Sequence, residues 1–268
     1  MLRSLCRADG AARCAIIVAH PDDEVIGAAS RLGALRDPLI VHVTDGSPRD
    51  PRDARAAGCS TRAEYTALRR RERARALALA GVAPDRAWDL GVGDQEAAFH
   101  LASIARRVAA LLVALGCELV LTHPYEGGHP DHDATAFAVH AAAQRLRAEG
   151  ARPPVVAELT SYHARDGAIA AFSFAPRSGP VGTPLVLDER QRALKRRMYG
   201  CYASQAAVLA AFPIGVERFR LAPSYDFLRP PPVDDILYER FDWGMSAARW
   251  CALARAAHAE LGLRWAAA

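Results

Sequence analysis

The first 160 residues alternate short apolar runs with longer amphipathic stretches, and this alternation constrains the fold more than any other feature. The short runs are rich in β-branched residues, which is typical of buried strands. The predicted strands cover 14–19, 38–44, 86–90, 118–122 and 155–160, and the predicted helices cover 24–36, 62–80, 100–115 and 132–148. Such alternation indicates βαβ units. We therefore expect an α/β fold, a Rossmann-like three-layer sandwich with a mostly parallel sheet.

The sequence changes in character after residue 162, where glycine and proline recur between 167 and 184. Further elements are predicted as a helix over 188–203, a strand over 216–222 and a helix over 245–261. No linker between domains is evident. We predict a single domain over residues 1–268, in which 163–268 form a C-terminal extension or cap on the core of 1–162.

Composition is that of an ordinary folded protein, with 268 residues, 51% of them hydrophobic and 24% charged. The formal net charge of +4 is small for this length and does not indicate nucleic-acid binding. The six cysteines form no CxxC pair, so a disulfide framework is not expected. We expect a reduced, cytoplasmic setting. A homo-oligomer is compatible with the sequence, which does not specify the oligomeric state.

The sequence also predicts that the chain is neither secreted nor inserted in a membrane. Arg3, Arg7 and Arg13 interrupt the apolar residues near the N-terminus, so the apolar core of a secretion signal is not formed. No later apolar run is expected to reach the roughly 18 residues that span a bilayer.

Two polar motifs follow predicted strands. The first, AHPDDE, covers residues 19–24, and the second, THPYEGGHPDHD, covers residues 122–133. Because the carboxyl ends of parallel strands lie at one edge of a sheet, we expect the two motifs to meet there. Each motif alone is also typical of a capped helix start, with Asp22 or Asp23 as the cap and Glu24 in the first turn. Two motifs with matching placement favour a functional site.

The residue types in these motifs suit a catalytic metal. His20 and Asp23 lie three apart, and a histidine from the second motif would complete a set of two imidazoles and one carboxylate. Such a set leaves a coordination position open for water, as in catalytic zinc sites, and ferrous iron accepts the same ligands. If Asp23 is a ligand, the adjacent Asp22 is free to act as a general base.

The second motif has histidines at 129 and 132. If His132 binds the metal, His129 is free to stabilise an oxyanion or to protonate a leaving amine. Pro130 suits the first position of the following helix, and Asp131 suits its positive end. Gly127 and Gly128 would let the backbone approach a substrate closely.

Together the motifs resemble those of the PIG-L/LmbE-like N-deacetylases, which carry an AHPDDE segment near the N-terminus and an HPDH segment in the middle. The resemblance implies a Rossmann-like, zinc-dependent hydrolase that removes an acyl group, usually acetyl, from an N-acylated amino sugar or glycoside. It implies metal ligands at His20, Asp23 and His132, a base at Asp22, and an oxyanion-stabilising or acid group at His129. Arg69 and Asp94 correspond to positions where some relatives hold the sugar.

One position departs from this pattern. Some relatives carry a tyrosine two residues before the first histidine of HPDH, where this sequence has Gly127. Tyr125 lies nearby and is a candidate substrate-binding residue in its place.

Other histidines are interpreted as packed or solvated: His42, His100, His140 and His163. His123 is interpreted as closing the fourth strand, near the site. The stretch Tyr202, Ser204 and Gln205 is expected to give structural support near the site. Substrate specificity is expected to lie in the loops over 46–60, 92–99 and 163–185.

Two other functions remain open from the residues alone. A non-enzymatic nucleotide- or ligand-binding Rossmann module is disfavoured because no GxGxxG follows the first strand and carboxylates stand there instead. A phosphoesterase using the same metal site is disfavoured because the motifs supply one metal site rather than two.

Overall fold

A seven-stranded sheet forms the centre of the protein, in a computed structural model that describes residues 12–263. The strands are β1 (Cys14–Val18), β2 (Leu39–Thr44), β3 (Ala87–Val92), β4 (Leu119–Thr122), β5 (Val155–Leu159), β6 (Tyr162–Arg165), β7 (Ala168–Ala171), β8 (Thr183–Val186) and β9 (Val216–Leu221). The sheet runs β3-β2-β1-β4-β5-β9-β8, and β6 pairs with β7 in a separate hairpin. Arg3 and Arg7, on which the expectation about secretion partly rests, lie outside the described residues.

Helices cover both faces of the sheet. The α-helices are α1 (Asp23–Leu32), α2 (Arg52–Ala56), α3 (Arg62–Leu79), α4 (Leu101–Ala114), α5 (Pro130–Ala148), α6 (Glu189–Tyr199), α7 (Ala206–Leu209) and α8 (Ala247–Leu261). Short 3₁₀ segments occur at Pro84–Arg86, Ala97–His100, Ala203–Gln205 and Leu237–Arg240. The predicted α/β fold with a mostly parallel sheet is confirmed, since β1 to β5 pair in parallel and only β9 runs against the other strands of this sheet, pairing antiparallel with β5 and with β8.

Strand β1 shows why the sequence forms this sheet. All five of its residues are buried, because helices cover both of its faces. Ala15 and Ile17 join the core on one face, whereas Ile16 and Val18 join the core on the other, as the twofold alternation of a strand requires. A continuous apolar run is therefore the sequence that this central position needs.

The strand order places a crevice between β1 and β4. From β1 the chain runs outward through β2 and β3 and then returns to β4, on the other side of β1. The connections diverge at this point, so the carboxyl ends of β1 and β4 open onto a shared crevice, where α/β proteins of this kind place their ligands. The two polar motifs follow these two strands.

The C-terminal residues build onto the same sheet. Strand β9 pairs with β5, and β8 completes that edge. Helix α6 packs against α1 and α3, and α8 packs against α4. Residues far along the chain are thereby brought within reach of the first motif.

One helical stretch departs from the sequence expectation about apolar runs. Residues 97–114 are long and apolar enough to cross a membrane, with a mean hydropathy of 1.5, and they are the only such stretch in the described part of the chain. Half of this stretch is buried inside the fold. Its buried residues include Leu101, Ile104 and Val108, which belong to a hydrophobic core. The expectation overlooked this stretch, whose apolar character is explained by its packing.

Candidate metal and catalytic centre

The turn after β1 points its two aspartates in different directions. Asp22 has a φ of 130°, a value that side-chain-bearing residues rarely adopt, and it occupies the N-cap position of α1 without a capping hydrogen bond from its side chain. The Asp23 side chain turns back and accepts a hydrogen bond from the His20 backbone N–H at 2.7 Å. Asp23 therefore faces the histidines, whereas Asp22 faces Arg69.

The turn after β4 is shaped by a histidine cap and a glycine. His129 caps α5, because its Nδ1 accepts a hydrogen bond from the Asp131 backbone N–H at 3.1 Å. A side chain on Gly128 would begin only 2.1 Å from the backbone oxygen of Tyr162. Only glycine allows the strand β6 to approach the turn this closely.

The predicted metal ligands come together in the crevice. His20 Nδ1 lies 3.3 Å from Asp23 Oδ2 and 3.3 Å from His132 Nε2. His132 Nε2 also lies 3.3 Å from Asp23 Oδ1. Donors about 2.0–2.1 Å from a tetrahedral zinc ion are separated by about 3.3 Å, so this spacing fits such an ion.

The charge around His20 also suits a cation. His20 Nε2 lies 3.1 Å from Asp94 Oδ1 and 3.2 Å from Asp131 Oδ2. Burial opposes the charged ring, but Asp94 and the hydrogen bonds to the carboxylates raise the pKa of His20 well above its usual value. A carboxylate that accepts from one ring nitrogen orients the other toward a metal, as the second shell of many metal sites does. The donor set and its surroundings fit a divalent metal.

His132 and His129 are neutral rings in this environment. Burial lowers the pKa of His132 to about 3, and His123 adds to the effect. Burial likewise lowers the pKa of His129 to about 3, with His20 the next contribution. Because Nδ1 of His129 accepts a hydrogen bond, the proton of its neutral ring is on Nε2. His129 can thus donate a hydrogen bond without being an acid.

Arg69 positions Asp22 and does not face an open surface. Its Nη2 donates to Asp22 Oδ2 at 2.9 Å and to the Pro21 carbonyl at 2.5 Å, and the residue is only 2% exposed. Burial raises the pKa of Asp22 above its usual value, Arg69 opposes this shift, and Asp23 adds to it. The structure thus places the predicted sugar-contacting arginine behind the candidate base.

The two remaining predicted substrate residues, Asp94 and Tyr125, lie in different surroundings. Asp94 joins the cluster, with a side chain that is 16% exposed and 3.9 Å from His129 Nε2. Tyr125 does not join it. Its hydroxyl donates to the Arg229 carbonyl at 2.6 Å, and its ring packs beside Phe227 and Trp250 in the core. The structure offers Tyr125 no contact with the metal ligands and places it away from the expected tyrosine position.

Glu24 has more partners than a first-turn residue requires. It is fully buried, and its carboxylate accepts hydrogen bonds from the Asp22 backbone N–H at 3.0 Å, His42 Nε2 at 2.9 Å and the Tyr202 hydroxyl at 2.9 Å. The sequence interpretation of Glu24 as a helix-start residue missed these contacts. A histidine inside the apolar strand LIVHVT was the available signal, because a buried imidazole needs a polar partner.

Two polar residues of the second motif also support the ligands. His123 Nε2 lies 3.3 Å from Asp23 Oδ2, and its ring stacks on His132 at 4.0 Å. Asp131 accepts hydrogen bonds from the backbone N–H groups of Gln95 and Ala97, which ties the 92–99 loop to the site. The interpretation of Asp131 as a helix-end charge therefore missed its contact with His20.

Two aromatic residues from the C-terminal half border the cluster. The ring of Tyr162 lies 5.2 Å from that of His132, edge to face. Burial raises the pKa of its phenol, on which the charges of His20 and Asp23 also act, so the hydroxyl is a protonated donor near the site. The ring of Trp243 lies 4.6 Å from that of His129. No local sequence signal marks either residue.

The stretch from Tyr202 to Gln205 has the supporting contacts that the sequence predicted. Ser204 donates to Glu72 through both its backbone N–H at 2.8 Å and its hydroxyl at 2.6 Å. Gln205 donates to the Tyr65 hydroxyl at 2.8 Å. These contacts join the C-terminal extension to helix α3, which carries Arg69.

Comparisons with known proteins agree with this fold. The A40926 pseudoaglycone deacetylase Dbv21 is 23% identical over 75% of this chain and 86% of its own, with a TM-score of 0.56. A deacetylase of the teicoplanin biosynthesis pathway is 19% identical over 74% of this chain and 86% of its own, with a TM-score of 0.55. The N,N'-diacetylchitobiose deacetylase from Pyrococcus horikoshii is 18% identical over 83% of this chain and 87% of its own, with a TM-score of 0.57.

A comparison with curated proteins found no match. The family model described as PIG-L, GlcNAc-PI de-N-acetylase, matches residues 15–143. This range begins in β1 and ends in α5, so it contains both polar motifs and every residue of the metal-ligand cluster. The chain therefore resembles the PIG-L family over the part of its fold that builds the site.

Proposed function

We propose that this protein is a metal-dependent N-deacetylase that hydrolyses the amide of an N-acylated amino sugar or glycoside. The observation that carries the proposal is the 3.3 Å spacing among the donor atoms of His20, Asp23 and His132. A second carboxylate, Asp22, is near enough for the charges of Asp23 and His20 to act on its pKa. The family supports the reaction class, since its model is described by a de-N-acetylase. The similar solved structures include a deacetylase of the teicoplanin biosynthesis pathway, the A40926 pseudoaglycone deacetylase and the N,N'-diacetylchitobiose deacetylase.

The proposed metal is zinc, with ferrous iron as the alternative, held by His20, Asp23 and His132. When bound, such an ion supplies Lewis-acid polarisation of the acyl carbonyl and lowers the pKa of water in the site. His20 and His132 can serve as ligands through ring nitrogens that lie next to each other. Asp131 keeps the far nitrogen of His20 occupied, so the near nitrogen faces the other ligands.

The protein's own groups would then perform the hydrolysis. The Asp22 carboxylate accepts a proton from the attacking water as the new carbon–oxygen bond forms. The Nε2–H of His129 donates a hydrogen bond to the acyl oxygen as negative charge develops there. The carbon–nitrogen bond breaks, and the proton held by Asp22 passes to the departing nitrogen. The products are the carboxylic acid, normally acetate, and the free amine.

The protonation state of His129 limits the roles that this residue can have. A ring with a pKa lowered to about 3 by burial has no spare proton at neutral pH. Its Nδ1 is already engaged by the helix start, so Nε2–H is its available donor. We therefore favour oxyanion stabilisation over protonation of the leaving amine for this residue.

Acetate release is the direct test. Purified protein is assayed with N-acetylglucosamine, N,N'-diacetylchitobiose and longer N-acetylated glycosides, before and after chelation and after addition of zinc or ferrous ions. We expect acetate and free amine in equal amounts, lost on chelation and restored by metal. Absence of acetate from every substrate with metal-loaded protein would refute the proposal. Phosphate release from p-nitrophenyl phosphate would favour the phosphoesterase. Nucleotide binding without turnover would favour the non-enzymatic binding module.

Variants separate the ligands from the base. His132→Ala should lose bound metal as measured by elemental analysis, and an unchanged metal content would refute the ligand set. Asp22→Asn should keep the metal and lower kcat by about 10²- to 10⁴-fold. The matched control is Asp85→Asn, which removes an exposed carboxylate before β3, outside the cluster and outside the predicted specificity loops, and should leave both quantities unchanged.

A further inference from the structure

An aromatic pair lies beside the candidate centre, on the segment that precedes α8. Trp243 is half-buried, and its ring lies 4.6 Å from the ring of His129. Phe241 stacks on Trp243, with the two ring centroids 4.4 Å apart and an angle of 17° between the ring planes. Phe241 is 40% exposed. Apolar ring surface therefore continues from His129 to the solvent.

The core accounts for only part of this arrangement. Trp243 packs partly against the core, but Phe241 is not among the residues of either hydrophobic core in the described chain. Its stacking partner is Trp243, so the pair holds exposed apolar surface next to a polar cluster. An apolar wall with a few convergent polar groups is the usual composition of a site for a small organic ligand.

We propose that the sugar ring of the substrate stacks on Trp243, whose opposite face is covered by Phe241. The inference rests on the proposed function and adds a binding site for one part of the substrate. The two rings are called the aromatic platform below.

Geometry favours a sugar ring as the occupant. If the acyl oxygen accepts a hydrogen bond from His129 Nε2, the ring carbon that bears the amide is only two bonds beyond the acyl carbon. The substrate ring must then lie within a few ångströms of His129, and the ring of Trp243 is 4.6 Å from the ring of that histidine. A pyranose ring presents C–H groups on its faces and hydroxyls at its edge. Its faces suit an aromatic surface, and its hydroxyls remain free for polar groups such as Asp94.

The platform predicts that N-acylated amines with a ring bind more tightly than those without one, a preference that the metal centre alone would not produce. The acyl group would be recognised at the polar cluster, whereas a cyclic amine component would be recognised by the rings. An N-acetylated amine without a ring should lack the second contribution. Aromatic stacking contributes about 0.5–1.5 kcal/mol, which corresponds to about a two- to tenfold change in affinity.

A binding experiment tests the platform without relying on turnover. Dissociation constants for N-acetylglucosamine and for N-acetylethanolamine are measured by ligand-observed NMR with wild type, Trp243→Ala, Phe241→Ala and Trp88→Ala. Trp88 is the matched control, because it is 44% exposed on the edge strand β3 and outside the site. We expect Trp243→Ala to weaken sugar binding about five- to tenfold and Phe241→Ala about two- to threefold. Trp88→Ala should have no effect, and N-acetylethanolamine should bind all four proteins alike.

Equal affinities of wild type and both platform variants for the sugar, or no sugar binding by wild type, would overturn the inference. An equal loss of affinity for N-acetylethanolamine would also overturn it, because the rings would then not act on the sugar. Phe241→Ala keeps the test decisive if Trp243→Ala does not fold, since Phe241 lies outside the core. Acetate release is measured separately. Sugar binding that depends on the platform without acetate release would refute the proposed function alone, and acetate release with no effect of the rings would refute the platform alone.

Discussion

Replacing Glu24 by glutamine tests whether a buried carboxylate holds the candidate base in a strained backbone conformation. A residue at a φ of 130° is strained by about 1–3 kcal/mol and persists only when its surroundings enforce it. The Asp22 backbone N–H donates to Glu24, and its carbonyl accepts from the first turn of α1. His42 and Tyr202 hold the Glu24 carboxylate in place.

The expected size of the effect follows from these hydrogen bonds. Glu24 accepts from three donors, and the glutamine amide offers one oxygen while its NH₂ group meets another donor. Losing one charge-assisted hydrogen bond and burying an unmatched donor costs about 2–4 kcal/mol. For a protein of this size we expect Tm to fall by about 5–10 °C. A displacement of Asp22 by about 1 Å should lower kcat about 10- to 100-fold.

Glu217→Gln provides the matched control. Glu217 is also fully buried, and it accepts hydrogen bonds from Lys195 and from Ser30, which lies near the C-terminal end of α1, whereas Asp23 lies at its start. It should lose a similar amount of stability and keep its kcat. The assay compares kcat, KM, metal content and Tm for both variants at a temperature where both are folded. We expect Glu24→Gln to lower kcat with KM and metal content little changed. If the two variants lose kcat equally, or if Glu24→Gln retains it, Glu24 has only a structural role.

Three further predictions concern single residues. Tyr162→Phe keeps the ring beside His132 and should lower kcat about tenfold or more, because it removes a hydrogen-bond donor. The control Tyr238→Phe changes a buried tyrosine of the core and should leave kcat unchanged. Equal kcat values for the two variants would exclude the Tyr162 phenol from catalysis. Gly128→Ala should lower Tm by several degrees, because the new Cβ would lie 2.1 Å from a backbone oxygen, and an unchanged melting curve would contradict that geometry. Burial lowers the pKa of His140 to about 4. The unfolded chain takes up this proton near pH 6.5 and the folded chain only near pH 4, so acidification between these values should cost up to about 3 kcal/mol of stability. His140→Gln should reduce that loss in urea titrations, and an identical pH dependence would refute the assignment.

The strands of the parallel core and the place of the site could be predicted from the sequence. An apolar run such as β1 indicates a buried strand directly, because side-chain periodicity is a local property of the chain. The parallel arrangement then follows from the alternation of strands and helices, and it directs the carboxyl ends of β1 and β4 to one edge. The juxtaposition of the two polar motifs was therefore predictable without coordinates.

The tertiary structure alone decided which distant residues support that site. Tyr202 reaches Glu24 across 178 positions, and Tyr162 and Trp243 border the cluster from the C-terminal half, whereas Tyr125 packs in the core despite its position in the second motif. Periodicity identifies buried residues but does not say which buried groups touch. Hydrogen-bond partners far apart in the chain depend on how the C-terminal elements pack on the sheet, and no local pattern records that packing.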